Sequence, residues 1–153
     1  MTQYVNQFEL GKEVGQLDLR LNSNIIQCRS NGTLIAGQVV KLVDTAAGIP
    51  VVDVAADTDV PFGFVCYNHK ETSYSAGDMI EIALSGSYMY MQAGAAITPG
   101  AEIMYVYASA NVITASGTSN KYVSGYALDK ATTSADIIRV AIKTFGDAKR
   151  PSA

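Results

Sequence analysis

Apolar and polar positions alternate with a period of two through most of this chain. Leu17, Leu19 and Leu21 alternate with Asp18 and Arg20. Val40 and Leu42 flank Lys41, and Ile80, Ile82 and Leu84 alternate with Glu81 and Ala83. Ile138, Val140 and Ile142 alternate with Arg139, Ala141 and Lys143. This spacing turns one face of an extended strand towards a core and the other towards water. No stretch carries an apolar stripe at helical spacing, and the Ala-rich segments are broken by Gly48, Gly94 and Pro99. Turn signals such as Ser30-Asn31-Gly32, Ala47-Gly48-Ile49-Pro50 and Thr98-Pro99-Gly100 recur at short intervals. Short strands punctuated in this way predict an all-β barrel or sandwich. The expected core is Val40, Leu42, Phe64, Ile80, Ile82, Leu84, Ile103, Ile138, Val140 and Ile142.

The second half of the chain repeats the first. Gly37 to Val43 aligns with Gly100 to Val106, Phe62 to Val65 with Ser124 to Ala127, and Gly77 to Leu84 with Ala135 to Ile142. The pairs Gly37/Gly100, Gly63/Gly125 and Ile80/Ile138 are separated by 63, 62 and 58 residues, a drift that loops can absorb. The domain reading is therefore two tandem copies of a strand-rich unit, about 36–84 and 99–142, within a duplicated β domain at 36–145. Residues 1–35 form an N-terminal extension: an arm that orders on a partner, or a first strand docked on the chain's own barrel. Residues 146–153 are expected to be a flexible tail.

Composition narrows the function. Charged residues make up only 16% of the 153 residues, and the net charge is −3. Without a basic cluster to neutralise phosphates, nucleic acid is excluded as the main ligand. The start lacks the positive region and apolar core of a secretory signal, and no apolar run is long enough for a membrane helix. Cys28 and Cys66 are isolated thiols, read as small buried hydrophobes in a reducing cytosol.

Candidate chemistry is thin. Cys66 and His69 could pair as nucleophile and base, but no third group stands beside them to orient the base. The more economical reading is a buried Cys and a loop His. Asp53, Asp57 and Asp59 resemble a calcium loop superficially, yet lack the Gly and terminal Glu of an EF-hand. Asp78 and Asp136 occupy equivalent places in the two repeats and could form a carboxylate dyad in a small hydrolase. A turn Asp that accepts backbone N–H groups is the ordinary explanation. No catalytic residue, metal or cofactor is assigned.

From Ile82 to Asn120 the only charged residue is Glu102. Within that run, Tyr88 and Tyr90 lie on one strand face and Met89 and Met91 on the other; Tyr105 and Tyr107 form a second same-face pair. Tyr and Met are enriched, and charge is depleted, where subunits meet. The alternative is a central strand buried on both faces. The candidate partner interface is therefore Tyr88, Met89, Tyr90 and Met91, together with Tyr4, Phe8 and Leu10 of the arm.

The chain carries Ala76-Gly77-Asp78 running into Ile80, Ile82 and Leu84, then Gly86, and Ala96 to Gly100. Gly125 and Asp136 to Ile142 repeat parts of this pattern. Over roughly residues 34 to 145 it resembles the small decoration, or structural cement, proteins of tailed bacteriophage capsids. That resemblance implies a non-enzymatic protein, made in the host cytoplasm, that binds the outside of an assembled head. There it would clamp neighbouring copies of the major capsid protein, with a trimer as the favoured homo-oligomer. The alternative function is a glycan- or ligand-binding β module of a virion or surface fibre.

Overall fold

A computed structural model describes residues 13–18, 20–68, 71–107, 109–115 and 122–149. The described residues form twelve strands. They are β1 (Ile25–Ser30), β2 (Leu34–Ile35), β3 (Val39–Ala46), β4 (Ile49–Val54), β5 (Gly63–Val65), β6 (Ser73–Tyr74), β7 (Met79–Ala83), β8 (Tyr88–Ala93), β9 (Glu102–Tyr105), β10 (Asn111–Thr114), β11 (Val123–Ala127) and β12 (Ile137–Ile142). The only described helical segment is a single 3-10 turn, Phe145–Asp147.

Ten of the strands close into two five-stranded barrels, ordered β1-β4-β3-β5-β7 and β10-β8-β12-β11-β9. Their pairing rules are the same. In the first, β1 runs parallel to β4 and antiparallel to β7; in the second, β8 runs parallel to β10 and antiparallel to β12. The antiparallel pairs β3–β4, β3–β5 and β5–β7 are matched by β9–β10, β11–β9 and β11–β12. Ile80 and Ile138 thus sit in equivalent strands. The unit read from the sequence begins at residue 36, whereas the closed barrel begins at Ile25. Its opening strand, Ile-Ile-Gln-Cys-Arg-Ser, matches the equivalent Tyr-Met-Tyr-Met-Gln-Ala of β8 at no aligned position. β2 and β6 form a small separate ribbon.

Gly63 and Gly125 show why the repeat keeps its glycines. A Cβ on Gly125 would stand 2.1 Å from the Ala141 carbonyl oxygen, and one on Gly63 would stand 2.2 Å from Ile82 Cγ2. Strands β5 and β11 approach β7 and β12 too closely for a side chain there.

Two apolar clusters fill the molecule. One is the interior of the first barrel: Cys28, Leu34, Val40, Val52, Val65, Tyr74, Ile80 and Ile82. The other joins Val39, Phe64 and Ala83, the alternate residues of the first barrel's strands, to Met89, Met91, Ile103, Tyr105, Ile138, Val140 and Ile142 of the second. Strand β5 is therefore covered on both faces, as are β3 at Val39–Val40 and β7 at Ile82–Ala83, one face by their own barrel's core and the other by the second barrel.

The expected core holds with two exceptions. Leu84 is half-buried, and Leu42 is 41% exposed. Leu42 lies on the same strand face as Val40 and opposite Val52, but β3 parts from β5 after Val40, so no strand flanks Leu42 on that side. The strand expected over Leu17 to Leu21 also differs. Leu17 bridges Met89, but the Leu21 N–H turns back to the Asp18 carbonyl and Leu21 is 39% exposed. Leu19 lies outside the described residues.

Candidate functional site

Three of the seven interface candidates, Tyr4, Phe8 and Leu10, lie outside the described residues. The other four occupy β8. Met89 and Met91 are sealed in the apolar core opposite Val140 and Ile138, Tyr90 is buried, and Tyr88 is half-buried. Met89, Tyr90 and Met91 thus pack within their own chain. The charge-poor run has the same cause: β8, β9 and β10 contribute Met89, Met91, Ile103, Tyr105 and Val112 to the interior. Of the Tyr pair, Tyr105 is buried, whereas Tyr107 stands 51% exposed past the end of β9.

What covers β8 from outside is the segment 13–18, which the sequence left open between arm and docked strand. It pairs with β8 through Gly15 N–H to the Tyr90 carbonyl (2.8 Å), Tyr90 N–H to the Gln16 carbonyl (2.8 Å) and Asp18 N–H to the Tyr88 carbonyl (2.9 Å). The Gly15 carbonyl also accepts the Tyr67 N–H of the first barrel at 2.8 Å. This strap therefore bonds to both barrels at their seam. Gly15 is required there, because a Cβ would sit 2.6 Å from the Gly37 nitrogen. Asp18 ends the strap as a buried carboxylate, gripped by Arg20 Nε at 3.0 Å and reached by an Arg139 nitrogen at 3.5 Å. The hydrogen bond from Arg20 pulls its pKa below the usual carboxylate value, against the opposing effect of burial. Arg139 in turn holds Asp129 at 2.8 Å.

Further ties cross the seam, among them a two-way exchange between Asn24 and Ser87. The Tyr105 hydroxyl lies 2.7 Å from the Ala56 carbonyl and 2.8 Å from that of Asp59. On another side, Ser85 and Thr144 exchange four hydrogen bonds, including Thr144 N–H to Ser85 Oγ at 2.6 Å. Beside them Phe145 meets Phe62 edge to face at 5.5 Å. Residues 146–149 of the expected flexible tail are docked: the Lys149 carbonyl accepts the Val123 N–H and Lys149 Nζ pairs with Glu102.

The candidate chemistry falls apart in three dimensions. Asp78 accepts the Ser75 N–H at 2.8 Å, and Asp136 accepts those of Thr132 and Thr133 at 2.8 and 3.1 Å. Each holds its own turn on its own barrel, so they form no dyad. Burial pushes the Cys66 thiol up to about 12 and the Cys28 thiol to about 11, so both stay protonated and non-nucleophilic. His69 lies outside the described residues. Asp53 accepts hydrogen bonds from Asn31 and its own neighbour Val54, and Asp59 pairs with Lys41 at 3.1 Å. Among the described residues no three His, Cys, Asp or Glu side chains gather to hold a metal ion. A cavity of about 410 Å³ between Cys66, Tyr74, Met79 and Glu81 offers one carboxylate and an inert thiol. The arrangement supplies surfaces and rigid seams.

A family of phage cement proteins matches residues 22–142, which takes in both barrels, and the chain belongs to that family. No curated protein matches it in sequence. Among solved structures it is similar to the head fiber gp8.5 N base of bacteriophage phi29, with a TM-score of 0.54 at 16% identity. That likeness covers 81% of this chain and 98% of the other, and it concerns the fold.

Proposed function

We propose that this chain is a decoration protein of a phage head. It binds the outer surface of the assembled capsid and clamps neighbouring copies of the major capsid protein, without catalysis. The observation that carries this reading is the family match, which spans both barrels and not one of them. The geometry supports it, since paired barrels with a strap across their seam make a stiff body suited to holding two contacts at a fixed spacing. Each contact contributes modest burial, reduced by the cost of association. Repetition over an oligomer, for which a trimer is favoured, turns weak contacts into lasting attachment. The protein is made in the host cytoplasm and resides on the virion exterior.

The test is to mix purified protein with heads assembled without it. Saturable co-sedimentation and a higher temperature of head disruption are expected. Absence of binding at micromolar protein would overturn the reading. Sedimentation of the free protein checks the oligomeric state.

A further inference from the structure

The two barrels share one pairing scheme, so whatever differs between them is not demanded by the fold. The largest difference is the hairpin joining the third and fourth strands of the first barrel. β3 leaves its neighbour β5 after Val40, and β4 meets β1 only from Val51 onward. Beyond those points Thr45–Pro50 and Ala46–Ile49 pair only with each other, while Asp44 pairs with Val51, the last residue of β4 on this side that also pairs with β1. The equivalent hairpin β9–β10 is shorter and remains within its barrel, paired on the far sides by β11 and β8.

The free tip exposes large apolar side chains beside Asp44 and Thr45. The register shifts between Leu42 and Asp44, which places the bulge at Val43. Leu42 and Val43 stand 41% and 48% exposed, next to each other in sequence. Such bulges re-aim side chains and mark functional edges. The tip's one charge, Asp44, is exposed and accepts its neighbour's amide, Thr45 N–H, at 2.7 Å. Pro50 lacks an N–H and blunts the β4 edge against strand addition, so the exposed side chains, not the backbone, are what a partner meets.

The same position is already a docking point in the other copy. At the separation of 63 that relates Gly37 to Gly100, Leu42 corresponds to Tyr105. Tyr105 is buried, with its hydroxyl on the Ala56 and Asp59 carbonyls of the first barrel. In the second barrel this site holds another barrel; in the first it is left open.

We infer that the hairpin tip, residues 42–50, seats on an apolar patch on the outside of a capsid subunit. This assignment rests on the decorating role proposed above. Size selects the occupant: the tip is about a third of the roughly 20–30 residues that one side of a stable complex contributes. It is too small to hold a soluble dimer, and adequate for a contact repeated across a lattice.

The experiment compares wild type with Val43→Asp and Val43→Lys in binding to heads assembled without the protein, with Leu128→Asp on the second barrel as control. Both Val43 variants are expected to keep the wild-type melting temperature and sedimentation coefficient, and to bind heads at least tenfold more weakly. Leu128→Asp is expected to bind as wild type does. Wild-type affinity in both Val43 variants, or equal loss in the Leu128 control, overturns the assignment while the decorating role stands. So does a Val43 variant that dissociates an oligomer of the free protein, because the tip would then cover a second copy. Wild type that fails to bind heads overturns both.

Discussion

At the scale of single residues, the duplication provides its own controls. Gly77 precedes β7 with φ near +89°, and its counterpart Ala135 holds φ near +77° with a side chain. The left-handed conformation costs an L-residue roughly 1–2 kcal/mol, partly offset by the greater freedom glycine has when unfolded. Ala135→Gly should therefore stabilise the fold by about 0.5 kcal/mol, measured by chemical denaturation. Gly125→Ala should do the reverse. Its Cβ would collide with the Ala141 carbonyl in backbone that cannot recede without breaking the β11–β12 pairing. A loss of about 3 kcal/mol or more is expected, among the large effects that have a single steric cause. A loss under about 1 kcal/mol would show that β11 has room to shift.

At the scale of elements, alternation made β7 and β12 legible, because Ile80, Ile82, Ile138 and Val140 face interiors while Glu81 and Arg139 do not. It failed where a strand is covered twice or not at all. Tyr88 to Met91 carries apolar residues on both faces because the core takes Met89 and Met91 while the strap and Arg20 cover Tyr90; that pattern looks the same as an interface. Leu42 keeps the right phase on a hairpin that has outrun its barrel. No local signal could show the strap, since its partners lie some seventy residues away in β8. The residue that anchors it is testable. Asp18→Asn removes the charge that binds Arg20 and Arg139, and hydrogen bonds to charged groups contribute roughly 1.5–3 kcal/mol. A loss of about 1–3 kcal/mol at neutral pH is expected. Because the folded-state pKa of Asp18 is depressed, its contribution is present above the ordinary value of 3.8 and is lost as pH falls through the lower folded value. The difference between wild type and variant should therefore close in acid, and a difference that stays constant to below pH 3 would assign the effect to packing.

At the scale of the whole molecule, the question is what makes two barrels one body. The shared apolar cluster presses them together without fixing orientation, because burial is non-directional. Direction comes from the hydrogen bonds of Tyr105, the Ser85–Thr144 exchange and the strap. Of these only the strap uses a backbone segment that precedes both barrels, and it meets Tyr67 of the first and Tyr90 of the second within two consecutive residues, Gly15 and Gln16. A decoration protein that must match a fixed spacing on a head would depend on that geometry. Gly15→Ala tests it, since the added methyl would lie 2.6 Å from the Gly37 nitrogen in a φ of +86°. The barrels close through pairings that do not involve Gly15, so each should persist. The strap should detach, and the Tyr67 and Tyr90 amides should exchange with solvent much faster, while the Ile82 and Val140 amides within the barrels keep their protection. Unchanged exchange at Tyr67 and Tyr90 would mean that the strap tolerates the methyl and that Gly15 does not fix the seam.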